Sequence, residues 1–296
     1  MKIVVTGGTG FLGSAIVSAL RRSGGGHEVV SVARSPDVDI ARPETVAGLV
    51  SGADAVVHAA IDAKGDAAVT DRRFVEAVLG MLRETRGLRR FVYTSGLWVL
   101  GDTGGRIADE ASSAANPARA VGWRPSVERL VEQASARGDV DGWVVRPAIV
   151  YGGAGGIVGG MFESFERTGA VSIVGDGQNH WPLIHRDDLG ELDAQVLERA
   201  PSQRILHATD GSDLSVRRGA GAVARAAGGD AGAVVTTPLE RARLSMGDFA
   251  DALALDQRVS SELTRRILGF APRHRSLVDE APALARERQQ QLAPRG

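Results

Sequence analysis

The sequence contains no cysteine among its 296 residues. Disulfide bonds, thiolate metal sites and cysteine nucleophiles are therefore excluded, although this absence does not by itself fix the compartment. Long apolar runs are also missing, because no stretch reaches the ~18 residues that a membrane span needs. Only residues 1–5 precede the first glycine-rich segment, which leaves no room for a signal peptide. We therefore expect a cytoplasmic protein with no membrane partner.

The sequence also lacks an excess of charge of one sign, because it contains 35 basic and 36 acidic residues and its net charge is −1. Without a basic surplus, we expect no nucleic acid partner. Tyrosine and lysine are scarce, and occur only as Tyr93, Tyr151, Lys2 and Lys64. Hydrophobic residues make up 43% of the chain, so it can bury a sizeable core as one large domain or as a domain with an appended lobe.

What the sequence does have is a glycine-rich segment at residues 6–13, after a short β-branched run at residues 1–5 and before an apolar helix pattern. A strand, a glycine turn and a helix follow one another in the order that binds a dinucleotide pyrophosphate. Gly7 would permit the tight turn, Gly10 would let the main chain approach the pyrophosphate, and Gly13 would let the helix pack on the strand. An ordinary turn in an α/β protein is the alternative interpretation.

The end of the second predicted strand, residues 27–33, bears on the choice of cofactor. An NAD site typically places a carboxylate there, whereas this chain has Arg34, whose guanidinium suits a 2′-phosphate. We therefore predict NADP as the preferred cofactor and NAD as the alternative, unless Arg34 is only a solvated surface residue. Asp39 and Ile40, on a predicted third short strand, could reach the adenine edge, and a plain loop residue is the alternative for Asp39.

Two further apolar strands are predicted at residues 53–60 and 89–96. The first ends in small residues that leave room for a flat cofactor, and His58 within it is expected to be a packed core residue. The second ends in Thr94 and Ser95, which should face the site, because ligands of an open α/β sheet bind beyond the carboxyl ends of its strands. The alternation of strands and helices predicts an α/β fold with a doubly wound parallel sheet of the Rossmann type.

Several motifs, in order along the chain, resemble those of the extended short-chain dehydrogenase/reductase group, also called the NAD-dependent epimerase/dehydratase family. They are TGGTGFLG at 6–13, VVHAA at 56–60, FVYTSG at 91–96, VVRPAIVYG at 144–152 and GDGQNHWPLIHRDDL at 175–189. The resemblance implies a single NAD(P)-binding unit over 1–296, with a core at 1–152 and 181–208 and a smaller substrate lobe at 153–180 and 209–296. It also implies that the stretch after Pro147 lies along the nicotinamide. The predicted cofactor contacts are Gly7, Thr9, Gly10, Phe11, Leu12, Gly13, Arg34, Asp39, Ile40, Ala59, Ala60, Thr94, Arg124, Pro147 and Ile149.

The chain departs from the family at the proton-transfer residues, which are a tyrosine and a lysine four residues on. When the sequences are aligned on Glu128, Ala120 takes the tyrosine position and Arg124 the lysine position, so the chain resembles the atypical members of the family. Arg124 could hold the nicotinamide ribose or an anionic substrate group, but it is a poor proton donor. Ser95 would polarise the reacting oxygen. A surface arginine at a helix start is the alternative for Arg124.

Substrate contacts are expected mainly at residues 175–181, where several hydrogen-bonding groups and a large aromatic share one turn-rich stretch. We predict His180 and Trp181 there as substrate contacts, together with Trp123.

Two patterns that follow have simpler explanations. Asp188 and Glu191 have the spacing of a helix capping box. His180, His185 and Asp187 form no recognised metal-ligand pattern, so no metal is predicted.

Together these patterns favour an NADP-preferring oxidoreductase of the atypical extended type, acting on a small organic carbonyl, alcohol or activated alkene. Hydride transfer is feasible without the tyrosine, because the cofactor carries the difficult chemistry and the protein mainly orients it. Two alternatives stay open: a non-catalytic NAD(P)-binding regulator, and an epimerase or dehydratase that uses the nicotinamide transiently. The expected partner is a small-molecule substrate, and a homodimer is compatible with the sequence.

Overall fold

The structure is a computed structural model and describes residues 1–85, 87 and 89–292. Its strands are β1 (Lys2–Thr6), β2 (Glu28–Val32), β3 (Ala55–His58), β4 (Arg90–Thr94), β5 (Ile107–Ala108), β6 (Asp141–Pro147), β7 (Ile149–Tyr151), β8 (Val171–Val174), β9 (His180–Trp181), β10 (Leu183–His185), β11 (Ile205–Ala208), β12 (Leu214–Ser215), β13 (Val234–Thr237) and β14 (Arg258–Val259). Its helices are α1 (Gly13–Arg22), α2 (Ala47–Ser51), α3 (Ala67–Glu84), α4 (Arg124–Ala136), α5 (Gly156–Thr168), α6 (Arg186–Arg199), α7 (Val216–Ala226), α8 (Leu239–Met246), α9 (Asp248–Leu253), α10 (Glu262–Leu268) and α11 (Leu277–Leu292).

Six of the strands form one parallel sheet in the order β11-β6-β4-β3-β1-β2. In β1, the consecutive residues Ile3, Val4 and Val5 are all fully buried, as expected of a strand that is covered on both faces. β2 and β3 pair with opposite sides of β1, so the strand order reverses at the glycine-rich segment, where a ligand crevice is expected. The predicted doubly wound α/β fold is confirmed.

Helices cover both faces of this sheet. On one face, α1 packs against α6, and Ile16 and Leu189 are part of the core between these helices and the strands. The two helices approach closely because α6 has Gly190 at the contact, where a Cβ would lie 2.7 Å from the carbonyl oxygen of Ala15. On the other face, α3 packs against α4 over a core that includes Phe74.

A second apolar core lies outside the main sheet. Residues of α5, β8, α7 and α11 meet in it, among them Phe162, Val223 and Leu284. Leu183, from the segment between the two predicted lobe ranges, also joins this second core, whereas Phe270, from the C-terminal range, packs into the core beneath α1. None of the helices in the described ranges is both long and apolar enough to cross a membrane.

The prediction of a third short strand at Asp39 and Ile40 is wrong. Residues 35–42 form two tight turns instead. The Asp39 carboxylate accepts a hydrogen bond from the main-chain N–H of Ala41 at 3.0 Å, and the hydroxyl of Thr45 accepts one from the N–H of Asp39 at 3.0 Å. These side-chain hydrogen bonds satisfy the backbone locally and replace the ladder that a strand would need.

Candidate cofactor and substrate site

The glycine segment between β1 and α1 is tightly packed on its inner side and open on its outer side. Gly7 has a φ of 68°, and a Cβ there would lie 2.9 Å from the Cα of Ala60. A Cβ at Gly13 would run into the carbonyl oxygen of Gly7, so Gly13 lets the helix pack on the turn itself. A Cβ at Gly10 would meet only that same oxygen, at 3.1 Å. The open side of Gly10 therefore leaves room for a ligand close to the main chain.

A cavity of about 390 Å³ lies over this segment and along the ends of β2 and β3. It is lined by the predicted cofactor residues Gly7, Gly10, Phe11, Leu12, Gly13, Arg34, Asp39, Ile40, Ala59 and Ala60, and also by Val32, Ala33, Val38, Ile61 and Asp62. A mainly apolar lining with a few polar groups is typical of a small-molecule site.

The other predicted cofactor contacts lie outside this lining. Thr9 is exposed on the glycine segment. Thr94 and Pro147 are buried at the carboxyl ends of β4 and β6, which are neighbours in the sheet, and Ile149 is buried at the start of β7. Arg124 begins α4, and its guanidinium contacts the end of β4.

Arg34 lies at the rim of the cavity between two carboxylates. About half of its side chain, 49%, is exposed, and its guanidinium nitrogens lie 3.3 Å from Asp39 and 3.4 Å from Asp62. The pKa of Asp39 is lowered by a hydrogen bond from the main-chain N–H of Ala41 and by the charge of Arg34. The pKa of Asp62 is lowered in the same way, by hydrogen bonds from the N–H groups of Lys64 and Gly65 and by Arg34. The position of Asp62, four residues beyond β3, is the sequence signal that could have indicated it, because strand ends border the site.

A second cation, Arg186, lies beside the glycine segment. Its guanidinium lies 5.3 Å from the centre of the Phe11 ring, and its Nη2 donates a hydrogen bond to the hydroxyl of Ser14 at 2.6 Å. Phe11 also packs against the loop before α5, where a Cβ at Gly155 would be 2.7 Å from the ring. The sequence patterns gave no sign of Arg186, because its position in the HRDDL motif says nothing about a contact more than 170 residues away along the chain.

Ser95 does not present its hydroxyl to an open site, contrary to the prediction. Its side chain is buried and donates a hydrogen bond to Oε1 of Glu128 at 2.5 Å. Glu128 in turn forms a bidentate pair with Arg146, at 3.0 Å from Nε and 2.6 Å from Nη2. Because a buried ion pair needs its remaining lone pairs satisfied, the Ser95 hydroxyl is engaged in this structural cluster.

Arg124 is held in place at the carboxyl end of β4 and is not a loose surface arginine. Its Nη1 donates hydrogen bonds to the Tyr93 hydroxyl at 3.1 Å and to the carbonyl oxygen of Thr94 at 2.8 Å. The guanidinium lies 5.5 Å from the centre of the Trp123 ring and 5.8 Å from that of Tyr93. Within the described part of the chain, its Nε and Nη2 make no hydrogen bond, so these donors are available to a ligand.

A buried carboxylate, Asp71, organises the groups around Arg124. Its Oδ2 accepts hydrogen bonds from the Tyr93 hydroxyl at 2.5 Å and from the Trp123 indole at 3.0 Å, and its Oδ1 lies 3.0 Å from Nε2 of His58. His58 is a buried, hydrogen-bonded core residue, as predicted. Although burial opposes it, the contacts with His58 and the charge of Arg124 lower the pKa of Asp71. Burial raises the pKa of Tyr93 well above its usual value, so this phenol does not ionise near neutral pH.

His180 and Trp181 line a different cavity, of about 790 Å³, that shares no lining residue with the first. His180 is held by Asp256, 2.9 Å from its Nδ1, and its Nε2 lies 3.1 Å from Nη2 of Arg258. Trp181 is mostly buried, and its indole donates to the carbonyl oxygen of Leu253 at 3.0 Å, so it packs mainly in the second core. Of the predicted substrate contacts, only Trp123 lies next to Arg124.

The capping box predicted from Asp188 and Glu191 is wrong. His185 caps α6, because its side chain accepts a hydrogen bond from the N–H of Asp187 at 3.2 Å. Asp188 is buried and accepts hydrogen bonds from the main-chain N–H of His274 at 3.0 Å and from its ring at 3.0 Å. The Asp188 carboxylate therefore binds a residue far along the chain, His274, and does not cap the start of α6.

The structure brings His185 together with His274 and not with His180. The two imidazole rings stack with centroids 3.6 Å apart, and ligand atoms of these histidines and Asp187 lie within 4.8 Å of one another. Burial lowers the pKa of His185 to about 4, whereas the hydrogen bond to Asp188 raises that of His274. Stacked rings direct their lone pairs along parallel planes and not toward one point, so we assign no metal to this cluster.

Comparison with known proteins shows which proteins this chain is similar to. The uncharacterized protein C2A9.02 of Schizosaccharomyces pombe is 27% identical over 304 residues, covering 95% of this chain and 98% of that protein. The crystal structure of human epimerase family protein SDR39U1 with NADPH has a TM-score of 0.80 at 21% identity, covering 97% of this chain and 99% of that one. The crystal structure of the dTDP-glucose 4,6-dehydratase DesIV of Streptomyces venezuelae with NAD has a TM-score of 0.81 at 21% identity. The match covers 98% of this chain and 97% of that one.

The two structural likenesses concern the fold. A sequence model of the NAD dependent epimerase/dehydratase family, by contrast, matches residues 3–207, which is more than half of the chain. Together with the glycine segment at the reversal of strand order, this match shows that the chain belongs to the NAD dependent epimerase/dehydratase family.

Proposed function

We propose that this protein is an NADP-preferring oxidoreductase that acts on a small organic carbonyl, alcohol or activated alkene. The observation behind the proposal is that two arginines lie beyond the carboxyl ends of strands of the same parallel sheet, Arg34 after β2 and Arg124 at β4. Arg34 borders the cavity over the glycine segment. Arg124 is fixed at the carboxyl end of β4 through its Nη1, and its Nε and Nη2 are available to a ligand.

The residues around the glycine segment fit a dinucleotide. The open side of Gly10 would admit a diphosphate, and the first N–H groups of α1 would face its negative charge. Arg186 would add a positive charge next to Phe11. Once bound, the nicotinamide would supply the hydride chemistry, and the protein residues would orient the reactants.

The preference for NADP rests on Arg34. Both of its carboxylate neighbours keep hydrogen bonds from main-chain N–H groups, so they do not depend on the arginine. Its contacts with Asp39 and Asp62 are long, at 3.3 and 3.4 Å, whereas a guanidinium binds a phosphate in a shorter, bidentate geometry. The human relative whose structure was determined with NADPH supports this preference.

Arg124 would act as a fixed electrophile. Its Nη1 is committed to Tyr93 and Thr94, which leaves Nε and Nη2 to hold the nicotinamide ribose or to polarise a substrate oxygen. Because arginine stays protonated, it stabilises negative charge without giving up a proton. The proton for carbonyl reduction would then come from water, at a cost of about 10² to 10⁴ in rate relative to a positioned acid.

The experiment is to incubate the purified protein with NADPH or NADH and a panel of aldehydes, ketones and enones, and to follow the absorbance of the reduced nicotinamide. The proposal expects steady loss of absorbance, faster with NADPH. Tight NADPH binding with no turnover of any substrate would support the second candidate, a non-catalytic NAD(P)-binding regulator. The engagement of Ser95 by Glu128 is the observation that favours that candidate.

A further inference from the structure

Several exposed apolar side chains are concentrated in one short segment of the chain. Of the large hydrophobic side chains that are exposed in the described part of the chain, three fall within six consecutive residues of the α8–α9 hairpin: Leu244 at 88%, Met246 at 39% and Phe249 at 39%. We name these three residues the apolar tip. Exposed apolar side chains that are concentrated in one segment indicate a binding site more often than isolated ones do.

The hairpin holds the apolar tip in a defined position. Arg243 on α8 pairs with Asp251 on α9 at 2.5 Å and with Glu240 at 2.6 Å. At the far end of α9, the carbonyl oxygen of Leu253 accepts hydrogen bonds from the side chains of Asn179 and Trp181 at 3.0 Å each. The tip is therefore exposed on an anchored support.

An aromatic contact joins the apolar tip to the end of β4. The ring of Phe249 meets Trp98 edge to face, with centroids 5.5 Å apart and an interplanar angle of 74°. Trp98 lies in the short helical turn Leu97–Leu100 that directly follows β4, Ser95 and Gly96. The half-buried indole thus lies in the turn that follows β4, and Arg124 contacts the last residue of that same strand.

The segment before Arg124 contacts both the turn that carries Trp98 and helix α9. The carbonyl oxygen of Trp98 accepts a hydrogen bond from the N–H of Ala118 at 2.9 Å, and the turn Arg119–Val121 that follows packs against α9. Two residues later come Trp123 and Arg124, with the guanidinium over the Trp123 ring. Residues 118–124 therefore connect the turn that carries Trp98 to the Trp123–Arg124 pair.

We infer that the substrate carries a planar conjugated group, such as an aryl ring, next to its reacting carbonyl. The planar group would lie against Trp98 and Phe249, and the carbonyl oxygen would accept a hydrogen bond from Arg124. Flat rings gain more than saturated ones from such contacts, because aromatic pairs attract beyond their area of burial. The inference deepens the proposed function and rests on it for the identity of the reacting group.

A pair of probes with a planar and a saturated ring tests this inference, and the change in their ratio on substitution of Phe249 removes the difference in their intrinsic reactivity. Benzaldehyde and cyclohexanecarbaldehyde have six-membered rings of similar size, and with NADPH we expect kcat/KM to favour benzaldehyde about tenfold. Phe249→Leu keeps an apolar side chain but removes the ring, and should reduce that ratio to about twofold or less. Ile267→Ala is the matched control, because Ile267 is exposed to a similar extent, 37%, but lies on α10, so the ratio should stay at the wild-type value.

Binding of unreactive analogues separates this inference from the proposed function. Calorimetric titration of the NADP-saturated protein with benzamide and with cyclohexanecarboxamide requires no turnover. We expect benzamide to bind about tenfold more tightly, and Phe249→Leu and Trp98→Leu to abolish the difference. Equal affinities, an unchanged difference in both variants, or an apolar tip buried by a second copy of the chain at the titration concentration would overturn the inference. Thermal midpoints measured in parallel show that each variant is folded.

Discussion

Two carboxylates, those of Asp39 and Asp62, contact the guanidinium on which the proposed NADP preference rests. The sequence places Arg34 correctly at the end of β2, because strand ends border the crevice of an open sheet. The sequence also places Asp62 beyond the end of β3, but it does not show that Asp62 contacts Arg34, since that contact spans 28 residues. The charge balance at the rim of the cavity is thus a property of the fold, and it sets a quantitative expectation for the proposed preference.

Replacing Arg34 should reverse the preference. We expect Arg34→Ala to weaken NADPH binding about 10- to 100-fold and to leave NADH binding nearly unchanged, because it removes charge-assisted hydrogen bonds to the 2′-phosphate. Asp39→Asn should strengthen NADPH binding several-fold, because the amide oxygen can still accept from Ala41 while the negative charge is lost. Titrations of both nucleotides against each variant measure this. Arg72→Ala, an exposed arginine on α3, is the control. Equal losses for NADPH and NADH in Arg34→Ala would show that the 2′-phosphate is not what the arginine binds.

Asp71 is expected to position Arg124 without touching a ligand. Asp71→Asn should lower kcat about tenfold while the dissociation constant for NADPH stays within about twofold, because the neutral amide has only one acceptor oxygen for Tyr93, Trp123 and His58, and the Tyr93 hydroxyl that contacts Arg124 loses its charged partner. Steady-state kinetics together with nucleotide titration separate the two effects. A purely structural role would lower the thermal midpoint and leave kcat of the folded fraction unchanged, which would contradict the positioning role.

Two substitutions within the glycine segment are expected to have different effects on stability and on cofactor binding, and Gly24, beyond α1, provides a control. Gly10→Ala should leave the thermal midpoint near the wild-type value but weaken NADPH binding at least about tenfold, because its Cβ would fill the open side. Gly13→Ala should lower both stability and binding, because its Cβ would run into the carbonyl of Gly7. Gly24→Ala, where a Cβ meets nothing within 4 Å, should change neither. Melting curves with and without NADPH test the set. Full binding by Gly10→Ala would place the ligand elsewhere.

Helix α6 contains a buried carboxyl that makes stability depend on pH. Asp193 is fully buried, and neither of its oxygens has a hydrogen-bond partner among the described residues. Burial raises its pKa from 3.8 to about 8, so between these values the folded protein binds a proton that the unfolded chain has lost. The contribution of this group to stability is therefore present below pH 4 and declines as the pH rises toward 8.

Asp193→Asn should remove that dependence. We expect the free energy of unfolding of the variant, relative to the parent, to increase from pH 5 to pH 8 by at least ~1 kcal/mol, because the amide does not ionise. Urea denaturation at several pH values measures the difference. A difference that is constant across this range would mean that Asp193 is ionised in the folded protein.

At the scale of the whole molecule, the sequence predicts what is local and periodic. The alternating strands and helices and the glycine segment were sufficient for the doubly wound sheet. Side-chain partners far apart in sequence were not predictable: Asp188 pairs with His274 and Ser95 with Glu128. In each case a residue whose local pattern suggested a cap or a site group is engaged by an element that only the fold brings near.

A crystal structure of the protein grown with NADPH would show directly whether the crevice binds the cofactor as proposed. We expect the diphosphate against Gly10 and the start of α1, the 2′-phosphate on Arg34, and the nicotinamide ribose within hydrogen-bond reach of Arg124. A dinucleotide bound elsewhere, or a nicotinamide that lies away from the carboxyl end of β4, would contradict this expectation.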